Sequence, residues 1–309
     1  MDAAAFATKI RNAVACCSLG VWPTPLESAP ALARAMSAAA LWLKREDRAG
    51  GNKVRGLEFL LADSRPDAVF VTVGGTGSTH CLATAVHGQR LGHRIVLAQF
   101  PQPDTAASRA VAAATARTAD LVIRAGTRGG LPLAVVRAWL GARRLGAPRW
   151  IPGGGAHPRA VLGHLLAGLE LATQLDEPPD TIVVPLGTGG TAAGIALGMA
   201  WLDWPTRVTA VRVAPRLVAN RWRIMRLASG ARRLLSNHAL PFPNPRSAIC
   251  VEVVNSLGPG YGHPSPAGAR AQAVAAEHGL RLDPTYGAKA LAVVPAKQRV
   301  VFWHTFAWP

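Results

Sequence analysis

Residues 181–202 read TIVVPLGTGGTAAGIALGMAWL, and the fold follows from how this stretch is divided. It carries no charge and is long enough to cross a bilayer as one helix, which takes about 20 apolar residues. Pro185 and then Gly187, Gly189 and Gly190 break the first half of such a helix, so no membrane span is expected. The stretch divides instead into a strand at Thr181–Leu186, a loop at Gly187-Thr188-Gly189-Gly190-Thr191, and a helix beyond it. Glycines let a ligand approach the backbone closely. The free N–H groups and the dipole at the start of a helix favour a phosphate there. No Gly-Lys-Ser/Thr follows, and no G-x-G-x-x-G with a distant acidic partner is present. Taken alone, the loop is equally a tight strand-to-helix turn.

The same grammar recurs on either side. Ala68–Val73 (AVFVTV) runs into GGTGST and then the helix-forming HCLATAVHGQRLG, while RIVLAQ (94–99) and VTAVRV (208–213) read as further strands. Continuous apolar strands alternating with helices predict an α/β protein with parallel sheets covered on both faces. Ligands of such sheets bind beyond the carboxyl ends of the strands, where Gly74–Gly77 and Gly187–Gly190 both fall. Pro101–Asp104, Gly153–Gly155 and Gly258–Pro266 read as loops, and no internal repeat is found.

The chain has 309 residues, which at roughly 100–200 residues per domain points to two domains. Lys plus Arg number 34 against 17 Asp plus Glu, a formal charge of +17, but the excess is scattered. The densest stretch, Arg221, Arg223, Arg226, Arg232 and Arg233, reads as a solvated helix face, and nucleic acid is not an expected partner. Cys16, Cys17, Cys81 and Cys250 form no zinc spacing, and His157, His164, His263 and His304 form no ligand set, so no metal is expected. With no signal-peptide pattern in MDAAAFATKIRNAVACC, a reducing cytoplasm is the expected setting.

The stretch GGNKVRGLEFLLAD (50–63) places Lys53 at the start of a helix whose apolar face is Val54, Leu57, Leu60 and Leu61. The positive end of a helix disfavours the ammonium form, and only a neutral amine attacks a carbonyl. Lys53 is therefore a candidate for imine chemistry, although a solvated lysine after a turn fits the segment as well.

Taken together, TPLESAPALA, LWLKREDRAGGNKVRGLEFLLAD, GGTGSTHCLATA, IPGGGAHPRAVLGHLLAGLEL, VVPLGTGGTAAGIALG, LGPGYGHP and LDPTYGAKA follow in order along nearly the whole chain. In this the sequence resembles the pyridoxal-phosphate enzymes of the 1-aminocyclopropane-1-carboxylate deaminase and D-cysteine desulfhydrase family. The resemblance implies the tryptophan synthase beta-like fold (fold type II): two open parallel-sheet domains, a large one from residues 1–55 and 165–309 and a small one from 56–164. The cofactor would lie in the cleft between them. It implies that Lys53 forms the imine with pyridoxal 5'-phosphate and that Asn52 bonds the ring hydroxyl. Gly187, Thr188, Gly189, Gly190 and Thr191 would hold the phosphate. Ser78, Thr79 and His80 would face the substrate, Ser78 binding its carboxylate or assisting proton transfer. It further implies a small amino-acid substrate, α,β-elimination of the D-cysteine type to pyruvate, ammonia and sulfide, and a homodimer.

The chain has two tyrosines, Tyr261 and Tyr286, in Gly-Pro-Gly-Tyr-Gly and Asp-Pro-Thr-Tyr-Gly-Ala-Lys. The resemblance makes both catalytic groups facing the substrate, where a phenol can donate or accept a proton. At three places the chain departs from the family, one of them a compression around Arg48–Gly50 and after His304-Thr305, where the family continues with two glycines. The residue after the second tyrosine, which in the family faces the pyridine nitrogen, is Gly287, and an asparagine is replaced by Thr79. Gly287 and Thr79 motivate the alternative of a non-catalytic or altered-specificity relative that keeps the fold.

Overall fold

The computed structural model describes residues 2–62, 65–240, 242 and 248–308; Asp63, which closes the lysine stretch, lies outside them. Thr181–Leu186 is a strand buried at every position, and Gly190–Leu202 is a helix buried nearly all round, so this stretch runs through the centre of the protein rather than along its surface.

In chain order the helices are α1 (Ala3–Ala13), α2 (Pro30–Ala35), α3 (Lys53–Leu60), α4 (Thr79–Arg90), α5 (Ala106–Thr118), α6 (Leu131–Arg143), α7 (Pro158–Glu170), α8 (Gly190–Leu202), α9 (Arg221–Asn237), α10 (Pro266–Glu277) and α11 (Gly287–Leu291). The strands are β1 (Leu26–Ser28), β2 (Ala40–Arg45), β3 (Ala68–Gly75), β4 (Arg94–Phe100), β5 (Leu121–Arg124), β6 (Ala147–Trp150), β7 (Thr181–Leu186), β8 (Arg207–Arg212), β9 (Val251–Asn255) and β10 (Arg299–His304). They form a six-stranded sheet in the order β1-β2-β10-β7-β8-β9 and a four-stranded sheet in the order β5-β4-β3-β6. Every pairing is parallel except β1 with β2, an antiparallel edge that the strand-and-helix pattern does not foretell. Pro266 opens α10 instead of ending the preceding loop. Proline is well suited to the first helical position. The basic stretch 221–233 lies on α9, with Arg221, Arg226 and Arg233 exposed as a solvated face requires.

What positions the two glycine-flanked helix starts is α7, which packs against both α3 and α8. Gly56 of α3 meets Ala160 of α7, and a Cβ on Gly163 would collide with the Arg55 carbonyl. On the other side, a Cβ on Gly198 would stand 3.0 Å from the Gly168 Cα, and one on Gly194 only 2.6 Å from the Val161 carbonyl oxygen. The three helices are therefore in backbone contact, and their spacing leaves no room for a methyl group.

Gly194→Ala is expected to lower stability by roughly 1–3 kcal/mol through overpacking of this contact. Chemical denaturation measures it; an unchanged midpoint and slope would show that α7 and α8 are not packed this closely.

Candidate active site

Lys53 begins α3 after Gly50 and Gly51, whose φ angles of +80° and +92° only glycine adopts without strain. The Gly51 N–H donates to the Glu46 carbonyl (2.9 Å) and the Asn52 N–H to the Thr305 carbonyl beyond β10 (3.2 Å). One turn further on, Arg55 is buried under the Trp22 ring and donates to both Glu46 oxygens (2.6 and 2.8 Å) and both Glu170 oxygens (2.7 and 2.9 Å). Lys44 adds a bond to Glu170 (2.7 Å). This buried network ties α3 to β2 and α7, so the position of the lysine is fixed from behind.

Lys53 Nζ donates to the Gly154 carbonyl at 3.3 Å. Burial pushes its pKa down to about 8, where the sequence alone had suggested the helix end as the cause. Gly154, at φ +68°, stands in the short turn Gly153–Gly155, and its carbonyl also accepts from the Thr188 hydroxyl (3.5 Å). Asn52 reaches the glycine loop directly, its Nδ2 donating to Thr191 Oγ1 at 2.8 Å. Lysine and loop, more than a hundred residues apart in the chain, thus border one cleft of about 420 Å³, within the roughly 300–1,000 Å³ typical of small-molecule sites.

The cleft lies between the two sheets, beyond the ends of β3, β4, β7 and β8. On one wall, Gly187–Thr191 leads into α8, which has Gly189 (φ +95°) as N-cap and no capping side chain. Its first N–H groups face the cleft without a side-chain acceptor. A Cβ on Gly190 would meet nothing closer than the Gly155 carbonyl oxygen at 3.9 Å, so there is open space above the loop. An aldehyde with a phosphate fits these residues: an amine of lowered pKa borders the same cavity as an uncapped helix start.

The opposite wall is the start of α4. Ser78 caps this helix by accepting from the Cys81 N–H (3.3 Å), and Thr79 and His80 form its first turn; all three line the cleft. Thr72 Oγ1 donates to the Ile151 carbonyl (2.8 Å), so it must accept from His80 Nε2–H (2.9 Å). That leaves His80 Nδ1 as a bare acceptor, buried and without a partner among the described residues. Burial, and then the neighbouring Lys53, hold the His80 pKa down to about 3, so the ring is neutral and accepts hydrogen bonds without acting as a base near pH 7.

The two tyrosines meet hydroxyl to hydroxyl at 2.6 Å, with rings edge to face. Burial raises both pKa values, so both phenols keep their protons and one donates to the other. Each is braced from behind. The Asp283 carboxylate accepts from the N–H groups of Thr285, Tyr286 and Gly287 (2.9, 2.7 and 2.9 Å). The buried Lys289 ammonium donates to the Leu257 and Gly260 carbonyls (2.6 and 3.3 Å), pinning the loop that carries Tyr261. Gly287 is buried behind the wall rather than lining it, and a Cβ there would stand 3.1 Å from Asp283 Oδ2.

Several lining residues escape the sequence reading: Phe100, Arg128, Arg223, Thr305 and Phe306. The rule that ligands sit beyond strand ends marks Phe100, which closes β4. Arg223, in the basic stretch, turns one nitrogen inward to donate to the Thr188 carbonyl (3.2 Å). No local pattern marks Arg128 or Thr305.

Because only the neutral amine condenses with an aldehyde, uptake of pyridoxal phosphate by the cofactor-free protein is expected to accelerate with pH through about 8 and then level off. Stopped-flow absorbance checks this; a rate still rising in proportion to hydroxide up to the ordinary lysine range near ~10.4 would contradict a perturbed Lys53.

Comparison with known proteins agrees with this geometry. Residues 17–305 match the family described as pyridoxal-phosphate dependent enzyme. The chain is 33% identical over 326 aligned positions to a nocardicin C-9' epimerase of Nocardia uniformis subsp. tsuyamanensis, covering 93% of each chain. It is 29% identical over 286 positions to a D-cysteine desulfhydrase of Salmonella paratyphi B, covering 87% of this chain and 84% of that one. Among solved structures, one described as an ACC deaminase homologue superposes with a TM-score of 0.82 at 26% identity, covering 96% and 94% of the two chains. The amine, the uncapped glycine loop and these matches lead to one conclusion: the chain belongs to the pyridoxal-phosphate dependent enzyme family, has its fold type II architecture, and takes pyridoxal 5'-phosphate as its cofactor.

Proposed function

We propose that the protein is a lyase that removes the α-proton of a small β-substituted amino acid and expels the β-substituent, as in D-cysteine desulfhydration to pyruvate, ammonia and sulfide. The observation that carries this reading is the half-buried Lys53 amine, with its pKa lowered to about 8, in the same cleft as a protonated tyrosine pair. Pyridoxal phosphate, when bound, supplies an aldehyde for amines and a ring that withdraws electrons from the bond being broken. Lys53 would hold it, the N–H groups of residues 187–191 would take its phosphate, and Asn52 would stand beside its ring.

The roles of the remaining residues follow from their chemistry. The start of α4, with Ser78 and Thr79, orients the substrate carboxylate through N–H and hydroxyl donors. His80 accepts a hydrogen bond through Nδ1. Lys53 Nζ, poorly solvated and partly neutral near pH 8, takes the proton at Cα. The Tyr261–Tyr286 pair delivers a proton to the departing substituent, the bonded partner re-supplying it. Gly287 offers no polar side chain toward a cofactor ring, which speaks against cyclopropane opening, the most demanding reaction of the resembled family. The same reading takes residues 1–55 and 165–309 as the cofactor-holding unit, 56–164 as the smaller one, and a cytoplasmic homodimer as the working form.

A second reading, inversion at Cα, is favoured by the epimerase relative and by the presence of two separate proton-handling groups, Lys53 and the tyrosine pair, in one cleft. A panel of D- and L-amino acids on the cofactor-loaded protein separates the two. Pyruvate and sulfide from D-cysteine support elimination; change of chirality with solvent deuterium at Cα and no keto acid supports inversion. Bound cofactor with neither outcome would make the chain a non-catalytic relative. For elimination, Tyr286→Phe is expected to lower kcat by roughly 10²–10⁴-fold while the yellow cofactor band is retained. Unchanged kcat would remove the phenol from the chemistry.

A further inference from the structure

The charged side chains that line the cleft, among the described residues, are Lys53, Arg128 and Arg223; no aspartate or glutamate lines it. Two of the three have assignments. Lys53 is the cofactor amine, and Arg223 is tethered to the phosphate loop through Thr188. The Arg128 guanidinium has neither an ion pair nor a hydrogen bond with any described residue; its contact is with the Phe100 ring. It sits in Ala125-Gly126-Thr127-Arg128-Gly129-Gly130, between β5 and α6, on the four-stranded side of the cleft. Its guanidinium lies 5.9 Å from the centroid of Phe100, whose ring is 6.4 Å from that of Tyr261. The guanidinium is also close enough to Tyr261 to favour that phenol's ionised form, against the larger effect of burial. A Cβ on Gly126 would meet nothing within 4 Å, so the loop has room to adjust. The walls next to Arg128 are apolar, from Phe100 and Leu131.

The start of α4 accounts for one carboxylate, that of the amino acid itself. A second cation, unpaired, beside the tyrosines and facing no acid, is left over. We propose that Arg128 binds an anionic group on the substrate's side chain, so that this cleft prefers amino acids whose side chain ends in a carboxylate or phosphate. The proposal rests on the reading that the cleft takes an amino acid, and it narrows which one. In an elimination, a phosphate ester would leave as phosphate with the electron pair of its Cβ–O bond while the Cα proton passes to the base. Arg128 would then hold the charge of the leaving group. A side chain that ends in a carbon-linked carboxylate has no such leaving group and would be held for inversion at Cα instead.

The test is equilibrium titration of the cofactor-loaded protein with D- and L-aspartate, D- and L-O-phosphoserine, and D- and L-alanine, followed by the change in cofactor absorbance and by calorimetry. Charge-assisted bonds to one guanidinium predict that at least one acidic amino acid binds roughly tenfold or more tighter than alanine. The aspartate and phosphoserine arms tell which anion fits. Arg128→Gln is expected to abolish that preference and leave alanine binding unchanged, and Arg128→Lys to keep part of it. Arg128 is exposed in its loop and its removal leaves no buried partner, so these variants are expected to fold and to retain the yellow band. Alanine binding as tightly as every acidic amino acid, or a preference that survives Arg128→Gln, overturns the assignment of Arg128 while leaving the proposed function standing. No response to any amino acid overturns both.

Discussion

Backbone contact between α7 and its two neighbours is the constraint on which the rest depends. Gly163 and Ala160 set α3 against one side of α7, and Gly168, Gly194 and Gly198 set α8 against it near its other face. The start of α3 carries Lys53 and the start of α8 carries the glycine loop. Small residues inside helices cost conformational entropy in the unfolded chain, so several in one contact need a structural return. Here the return is the spacing of two helix starts so that both border one cleft. Asn52 to Thr191, at 2.8 Å, shows how close the two are drawn.

Electrostatics divides the protein in the same place. Behind α3 the charges are buried but neutralised: Arg55 and Lys44 face Glu46 and Glu170 in a network with short, satisfied bonds. In front of α3 the charged side chains lining the cleft are of one sign and, among the described residues, form no ion pair. The cleft contains a lysine with its pKa lowered to about 8, a histidine held neutral, two protonated phenols and two arginines. A cavity lined, among the described residues, by basic and neutral groups favours anions, and its burial lowers the pKa of an amine. Both properties suit a phosphate-bearing aldehyde and an amino acid's carboxylate.

Much of this was legible in the sequence because local rules act where the chain turns sharply. Proline and glycine at 185–190 divided strand from helix at the right residues, and Gly50-Gly51-Asn52 located the start of α3. The two tyrosines stood out because there are no others, and they do meet. What local rules cannot show is what distant segments do together. The antiparallel edge β1 depends on pairing with β2, and β10, from the end of the chain, inserts between β2 and β7. The Arg55 network joins residues 22–55 to Glu170, and its members read singly as ordinary surface charges. Arg128 lies in an unremarkable Gly-rich loop whose meaning comes only from what it faces. Gly287 was singled out for its lack of a side chain; the structure adds that its N–H is committed to Asp283, which shapes the turn carrying Tyr286.

The most direct measurement is to load the protein with pyridoxal phosphate, reduce it with borohydride so that the cofactor is fixed to the amine holding it, and map the labelled peptide by mass spectrometry. The chain has five lysines, at positions 9, 44, 53, 289 and 297, so the result is unambiguous. The label is expected on Lys53. Label on any of the other four in its place, or a loaded protein that yields no labelled lysine, would contradict that assignment.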